Sequence, residues 1–254
     1  MITKEQIDEL AKKFSIDWYS IMREYLQIVF LAALYEDKSS QDAYFKGGTA
    51  IRLLLNSFRF SEDLDFTARL NSEGIEKLII KTVEKMKLTV PNVAFKKLKP
   101  IHKSYSGSLQ FKDEEYKSPV NIHVDFSYRE KPLTQKESVL ETLFPVSPYP
   151  IIIHFDWNEI LAEKIRALMT RAKGRDLFDT WYLMSKGIEL DLSLINKKMA
   201  LYDRKIIKED IVNKVKDFNY ETLESDLNKY LPATHRKLTK QLKEILEEKL
   251  KNEK

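Results

Sequence analysis

The chain has 254 residues, of which 43% are hydrophobic and 32% charged, with a formal net charge of +4. It lacks cysteine, which excludes disulfides, thiolate metal sites and cysteine nucleophiles. Six glycines and eight prolines leave little room for long unstructured linkers, and the mild basicity permits an anionic partner such as RNA or a nucleotide without demanding one.

The opening stretch, MITKEQIDELAKKF, is charged and amphipathic, without the apolar core of a signal peptide. The apolar run 21–34 is interrupted by Arg23, Glu24 and Gln27 and is too short and too polar to span a bilayer. A soluble, cytoplasmic chain without membrane association is expected. Residues 4–36 read as two helices. Thr3 is placed to cap the first, with Ile7, Leu10, Ala11 and Phe14 at helical spacing, and Ser15 to cap the second, which is apolar over a broad face. A polar break at 37–42 leads to a short strand at Tyr44 and Phe45.

Residues 45–66 read FKGGTAIRLLLNSFRFSEDLDF and concentrate the chemistry. Gly47, Gly48 and Thr49 open an apolar helical stretch, a loop carries Arg59 and Ser61, and Asp63 and Asp65 alternate along a strand expected over 60–67. Side chains two apart on a strand share a face, so both carboxylates project together. Two such carboxylates repel, and the usual remedy is a divalent cation with hard oxygen ligands, Mg2+ above all, with Mn2+ as a substitute. A glycine pair before a helix N-terminus is a cradle for phosphate. Together these are parts suited to nucleotidyl transfer; the plainer reading is a glycine turn beside a solvent-facing acidic strand end.

Beyond this stretch, Asn71 precedes a helix through Ile75, Leu78, Ile79 and Val83. Residues 88–100 contain a strand-like segment followed by Lys96, Lys97, Lys99 and Lys103, either a phosphate contact or, the favoured reading, an edge strand protected by lysines. Residues 104–112 form a plausible strand and 113–118 a polar turn. PVNIHVDFSY, 119–128, places Val120, Ile122, Val124 and Phe126 on one strand face and Asn121, His123, Asp125 and Ser127 on the other. Its alternatives for Asp125 are a functional carboxylate or an exposed residue paired with a lysine. Prolines make 129–150 an irregular crossover, and a short strand follows at 151–155.

From Asp156 onward the pattern is helical, with expected helices from Asp156 to the break at Gly174, then to Gly187, and near 192–202, 205–215, 221–230 and 233–251. Lys164, Arg171, Arg175, Asp176 and Asp179 lie on the first two, with Arg175 and Asp179 one turn apart. A lysine offers phosphates a compact charge, and arginines can bind their oxygens bidentately. Taken alone, the cluster reads first as a structural salt-bridge network.

KGGTAIRL followed by RFSEDLDF, and then EILAEKIRALMTRAKGRDLFDTWYL, resembles the AbiEii/MenT family of nucleotidyltransferase toxins within the DNA polymerase β-like superfamily, over roughly residues 40–185. The resemblance implies an α+β fold: a mixed sheet flanked by helices over 1–150, then a C-terminal helical domain, 151–254, contributing Lys164 and Asp179 to the active site. It implies catalytic roles for Asp63, Asp65, Asp125, Lys164 and a downstream aspartate, Asp179 or Asp176, with Asp63, Asp65 and Asp125 as metal ligands and Asp125 alternatively the general base. Gly47, Gly48, Thr49, Arg59, Ser61, Arg171, Arg175 and Asp176 would bind the nucleotide. The implied activity is Mg2+-dependent transfer from an NTP to RNA, with tRNA the leading acceptor, by the toxin of a type IV-like toxin–antitoxin or abortive-infection system with a cognate antitoxin. A phosphate on Ser61 would bring negative charge into the metal site and so offer regulation. The competing readings are a nucleotidyltransferase acting on a protein or small-molecule hydroxyl, and a non-catalytic nucleotide- or RNA-binding module.

Overall fold

The computed structural model describes residues 1–99, 103–114 and 118–253. Two units divide the chain, Met1–Asn56 with Phe60–Phe155, and Ser57–Arg59 with Asp156–Lys254.

The first unit begins with α1, Lys4–Phe14, opened by a Thr3–Gln6 capping box. Ser15 does not cap the next helix as expected. It closes α1 in the left-handed region, φ 52°, while Asp17 caps α2, Trp18–Tyr35, by accepting from the Ser20 N–H. A carboxylate gains from the helix dipole at that end, which a serine hydroxyl does only weakly. Most of α2 is buried, and it packs on the sheet and on a later helix.

The sheet combines β1 (Ala43–Lys46), β2 (Leu64–Ala68), β3 (Val93–Lys97), β4 (Ser104–Phe111), β5 (Val120–Ser127), β6 (Gln135–Val139) and β7 (Ile151–Phe155). Among the described residues these form one sheet in the order β3-β4-β5-β2-β1-β7-β6. It is mixed: β2 runs parallel to β5 and β1 parallel to β7, while the remaining neighbours are antiparallel. Two helices interleave, α3 (Gly47–Leu54) after β1 and α4 (Ser72–Met86) after β2. The expected mixed sheet flanked by helices is therefore present.

Three details differ from expectation. The strand carrying Asp65 starts at Leu64, leaving Asp63 on the approaching loop. There the Ser61 carbonyl accepts from Gln27 Nε2 at 3.1 Å and the Asp63 carbonyl from the Thr49 hydroxyl, so side chains occupy groups a sheet partner would use. Secondly, the expected crossover at 129–150 contains β6, a mostly exposed edge strand of sequence QKESV, whose polar composition gives no alternation to read. The lysine-bearing β3 is the opposite edge, as favoured above. Thirdly, the helix expected over 233–251 is a 3-10 helix, Ala233–Lys240, followed by an α-helix. Pro100 and residues 115–117, part of the expected basic stretch and polar turn, lie outside the described residues.

The buried sheet face is built on Phe45, Phe66 and Phe126 from three adjacent strands. Phe66 stacks on Phe126 with centroids 4.5 Å apart and meets Phe45 at 5.3 Å. Burying each such ring contributes roughly 2–3 kcal/mol.

The second unit comprises α5 (Trp157–Thr170), α6 (Gly174–Ser185), α7 (Leu192–Met199), α8 (Lys208–Lys216), α9 (Tyr220–Asn228) and α10 (Leu242–Asn252). Asp156 caps α5 as expected, accepting from the Asn158 N–H. Although Ser57–Arg59 belong to a distant part of the sequence, Phe58 is enclosed here, stacked on His235 at 4.3 Å and edge-on to Phe178 at 5.2 Å. No helix among the described residues is long and apolar enough to cross a membrane.

In the first unit Arg52 of α3 holds Glu24 of α2 through two bonds, 2.6 and 3.0 Å, with its guanidinium 4.0 Å from the Phe60 ring centroid. Both side chains are buried. Removing one partner leaves the other charged and desolvated, so Glu24→Ala should cost about 3 kcal/mol in urea unfolding, and a Glu24→Leu/Arg52→Met double variant clearly less.

Candidate active site

Strand β1 ends at Lys46, and the chain must turn at once into α3. Gly47 makes the turn at φ +81°, a conformation that favours glycine. The same position is constrained a second way. A Cβ on Gly47 would lie 2.5 Å from Asp65 Oδ2, so the bare backbone is what lets the Asp65 carboxylate stand where it does.

Asp65 points away from the buried phenylalanine face. Its register partners are Lys46 on β1 and Asp125 on β5, and Asp125 is in turn opposite Ser106 on β4. Four strands thus bring Lys46, Asp65, Asp125 and Ser106 into one row. The Ser106 hydroxyl donates to Asp125 Oδ1 at 2.5 Å, and the Lys46 ammonium stands 5.2 Å from the Phe155 ring centroid. Neighbouring strands are about 5 Å apart, and two unit charges at that spacing repel by roughly 3 kcal/mol at an effective dielectric of 20. Such a pair calls for a cation. Among the described residues, no group of three or more His, Cys, Asp or Glu side chains is close enough to hold one unaided. A Mg2+ held by one or two carboxylates and completed by substrate phosphates is compatible with that donor set.

The remaining expected residues of this unit stand close in the chain. Asp63 precedes β2 by one residue, half-buried like Ser61. Gly48 and Thr49 are buried in the first turn of α3, and the Thr49 hydroxyl is committed to the Asp63 carbonyl. It thereby ties the glycine turn to the aspartate loop. Lys46 and Ser106 join the expected residues only through strand register. The alternation of Ser104, Ser106 and Ser108 on β4 was a readable sign of a polar sheet face.

Arg59, Lys164, Arg171, Arg175, Asp176 and Asp179 belong to the second unit. Asp179 is wholly buried and is gripped by the Arg59 guanidinium fork, 2.9 Å to each oxygen, and by Lys164 Nζ at 2.7 Å. Asp176, also buried, takes two bonds of 2.8 Å from the exposed Arg171 and lies 3.9 Å from Lys164. Three cations thus share two carboxylates, and the cluster keeps an excess positive charge. Asp179, with both oxygens engaged, acts here by orienting Arg59 and Lys164. Arg175, expected on the Asp179 face, instead lies 6.0 Å from the Tyr230 ring centroid.

A family model described as the nucleotidyl transferase AbiEii toxin of type IV toxin–antitoxin systems matches residues 29–251. The chain belongs to the AbiEii family. Solved structures agree in fold. One is MenT4, described as nucleotidyltransferase toxin Rv2826c from Mycobacterium tuberculosis H37Rv, with a TM-score of 0.66 and 16% identity over 100% of this chain and 91% of that one. Another is JHP933 from Helicobacter pylori, with a TM-score of 0.57 and 20% identity over 93% and 95% of the respective chains. No curated protein matches the chain in sequence. The AbiEii match spans both the glycine–aspartate stretch and the Lys164–Asp179 helices, whose order along the chain carried the resemblance.

The glycine turn and the buried aspartate of this AbiEii chain can each be tested by stability. Gly47→Ala forces a left-handed alanine and a collision with Asp65, so stability should fall by at least about 1–2 kcal/mol in urea unfolding. The second test concerns pH. Burial alone would raise the Asp179 pKa, but Arg59 and Lys164 outweigh it and leave the carboxyl below its ordinary value. A depressed folded pKa stabilises fully above the unfolded value of about 4, and that contribution is lost as pH falls through the folded value. The stability deficit of Asp179→Asn, about 3 kcal/mol at neutral pH, should therefore shrink as both proteins are taken from about pH 5 towards pH 2.

Proposed function

We propose that this AbiEii-family chain is a metal-dependent nucleotidyltransferase that transfers nucleotides from an NTP to an RNA hydroxyl, with tRNA the first acceptor to test. The observation carrying the reading is the side-by-side pair Asp65 and Asp125, with Gly47 cleared to admit the Asp65 carboxylate.

In this reading Asp63, Asp65 and Asp125 hold Mg2+, or Mn2+ in its place, together with phosphate oxygens of the NTP. When bound, the ion would neutralise the triphosphate and make its α-phosphorus more electrophilic. The backbone of Gly47 and Gly48 and the Ser61 hydroxyl bind the outer phosphates. Where Asp125 serves instead as the general base, its second oxygen takes the proton of the attacking RNA hydroxyl while Ser106 fixes the first. Lys46 lends positive charge beside Asp65. Within the helical unit, Asp179 and Arg59 hold the Lys164 ammonium in place, and Lys164, Arg171, Arg175 and Asp176 form a cluster suited to binding phosphate. Catalysis of this kind works mainly through positioning and charge neutralisation. As a toxin of a type IV system the protein would act against its own cell unless a cognate antitoxin restrains it.

The test uses labelled NTPs, Mg2+ and total RNA. Wild-type protein should label RNA, preferentially tRNA, and Asp65→Ala should lower the rate at least a thousandfold, an effect on the order of 4 kcal/mol. Asp63→Ala and Lys164→Ala should lower it at least tenfold. Label that appears on protein or on a small molecule instead of RNA would replace the acceptor assignment, and absence of any transfer would end the enzyme reading.

A further inference from the structure

The carboxyl ends of the parallel strands β2 and β5 open into a cleft of about 710 Å3 in the first unit. Ala68 and Leu70 give it an apolar floor, Arg69 and Lys131 stand on its rim, and Tyr128 and Ser72 complete the wall. Arg69 and Lys131 are exposed. The Arg69 guanidinium is spread over the Tyr44 ring, 5.2 Å from its centroid, which holds it at the mouth. Glu130 also lines the cleft, so its lining carries a net charge of +1, and the exposed Arg129 on the same loop adds to it. The Tyr128 phenolic oxygen is buried and makes no well-formed hydrogen bond, with Ser72 its polar neighbour. A buried hydroxyl in that condition is a donor awaiting an acceptor. The end of α4 is not what recommends the site, since the Asn71 side chain already caps it through the Gly74 N–H.

Pockets that hold small ligands are of this size and lining, with a few polar groups fixing orientation. A flat apolar floor, a tyrosine and rim cations are also what unpaired nucleotides use, through ring contacts and phosphate neutralisation. The bases of a duplex are stacked and paired, and cannot enter. Ala68 is three residues beyond Asp65 on β2, about 10 Å along the strand, and its side chain shares the sheet face of Phe66, so the cleft is separate from the Asp65–Asp125 pair on the other face.

We propose that this cleft binds one unpaired nucleotide of the RNA acceptor, away from the hydroxyl that reacts. Arg69 and Lys131 neutralise its flanking phosphates, the apolar floor receives its base, and the Tyr128 hydroxyl donates to it. This rests on the reading of the protein as an RNA-directed nucleotidyltransferase, but its test does not depend on turnover.

Binding of a short fluorescent single-stranded RNA is followed by anisotropy in EDTA, where no transfer occurs, over a series of salt concentrations. Arg69→Ala/Lys131→Ala should weaken binding at least tenfold and lower the slope of log affinity against log salt by about 1.4, some 0.7 for each single-strand phosphate that is no longer neutralised. Tyr128→Phe should weaken binding severalfold and leave the slope unchanged. Lys12→Ala/Lys13→Ala, an equal charge change elsewhere in the unit, should bind like wild type. Equal weakening in that control, wild-type affinity in the Arg69/Lys131 variant, or competition by duplex RNA as strong as by single strand would overturn the cleft. If wild type transfers nucleotides to RNA while the cleft variant binds and reacts unchanged, the cleft falls and the proposed function stands. If the cleft variant alone loses binding but wild type transfers nothing to RNA, the cleft stands as a site for unpaired RNA, its acceptor role is overturned and the proposed function falls.

Discussion

Two carboxylates, Asp65 and Asp125, held in register on adjacent parallel strands, are the constraint around which the first unit is arranged. Nothing in folding favours placing them there. Their repulsion has to be carried by the rest of the sheet, and several features make sense as the means. Gly47 removes the Cβ that would collide with Asp65, Ser106 takes one oxygen of Asp125, and Lys46 stands opposite Asp65. Gly47 answers to the turn and to Asp65 alone, while Ser106 and Lys46 place a donor and a cation beside the pair.

The helical unit solves a different electrostatic problem. Arg59, Lys164 and Arg171 are brought together around Asp176 and Asp179, and both aspartates are fully buried. A buried carboxylate without partners would be protonated or destabilising; at Asp179 the Arg59 fork and the Lys164 ammonium outweigh burial and hold the carboxyl below its ordinary range. The result is a cationic cluster whose geometry is fixed by anions that have no free oxygen left. Asp179 is therefore best understood through what it orients, the Arg59 guanidinium and the Lys164 ammonium.

Local chemistry was legible in the sequence, and long-range pairing was not. The glycine pair, the alternation around Asp125 and the Asp156 cap all have short-range physical signatures, and the corresponding elements are found in the structure, while the Asp-x-Asp strand is found only from Leu64, with Asp65 on it and Asp63 before it. The β6 edge was hidden because an exposed strand needs no apolar alternation. Ser15 and Asp17 are both good caps two residues apart, and only the competition between helix ends assigns them. The Arg59–Asp179 fork joins residues 120 positions apart. Arg175 offered itself to Asp179 by helical spacing, yet a guanidinium from far away in the chain took both oxygens.

The two sheet faces are not independent. Asp65 and Asp125 alternate with Phe66 and Phe126, so the stacked rings, 4.5 Å apart and tilted by only 9°, lie directly behind the carboxylate pair. Protein interiors are close-packed and do not deform smoothly. Backbone hydrogen bonding sets the spacing of the two strands, and the stack adds packing that resists its change at the very residues whose side chains repel on the other face. Apolar packing on one side supplies the rigidity that charge repulsion on the other would otherwise spend. Selection on that face of the core is thus selection on the site, and a volume change at Phe66 or Phe126 would be felt first by Asp65 and Asp125.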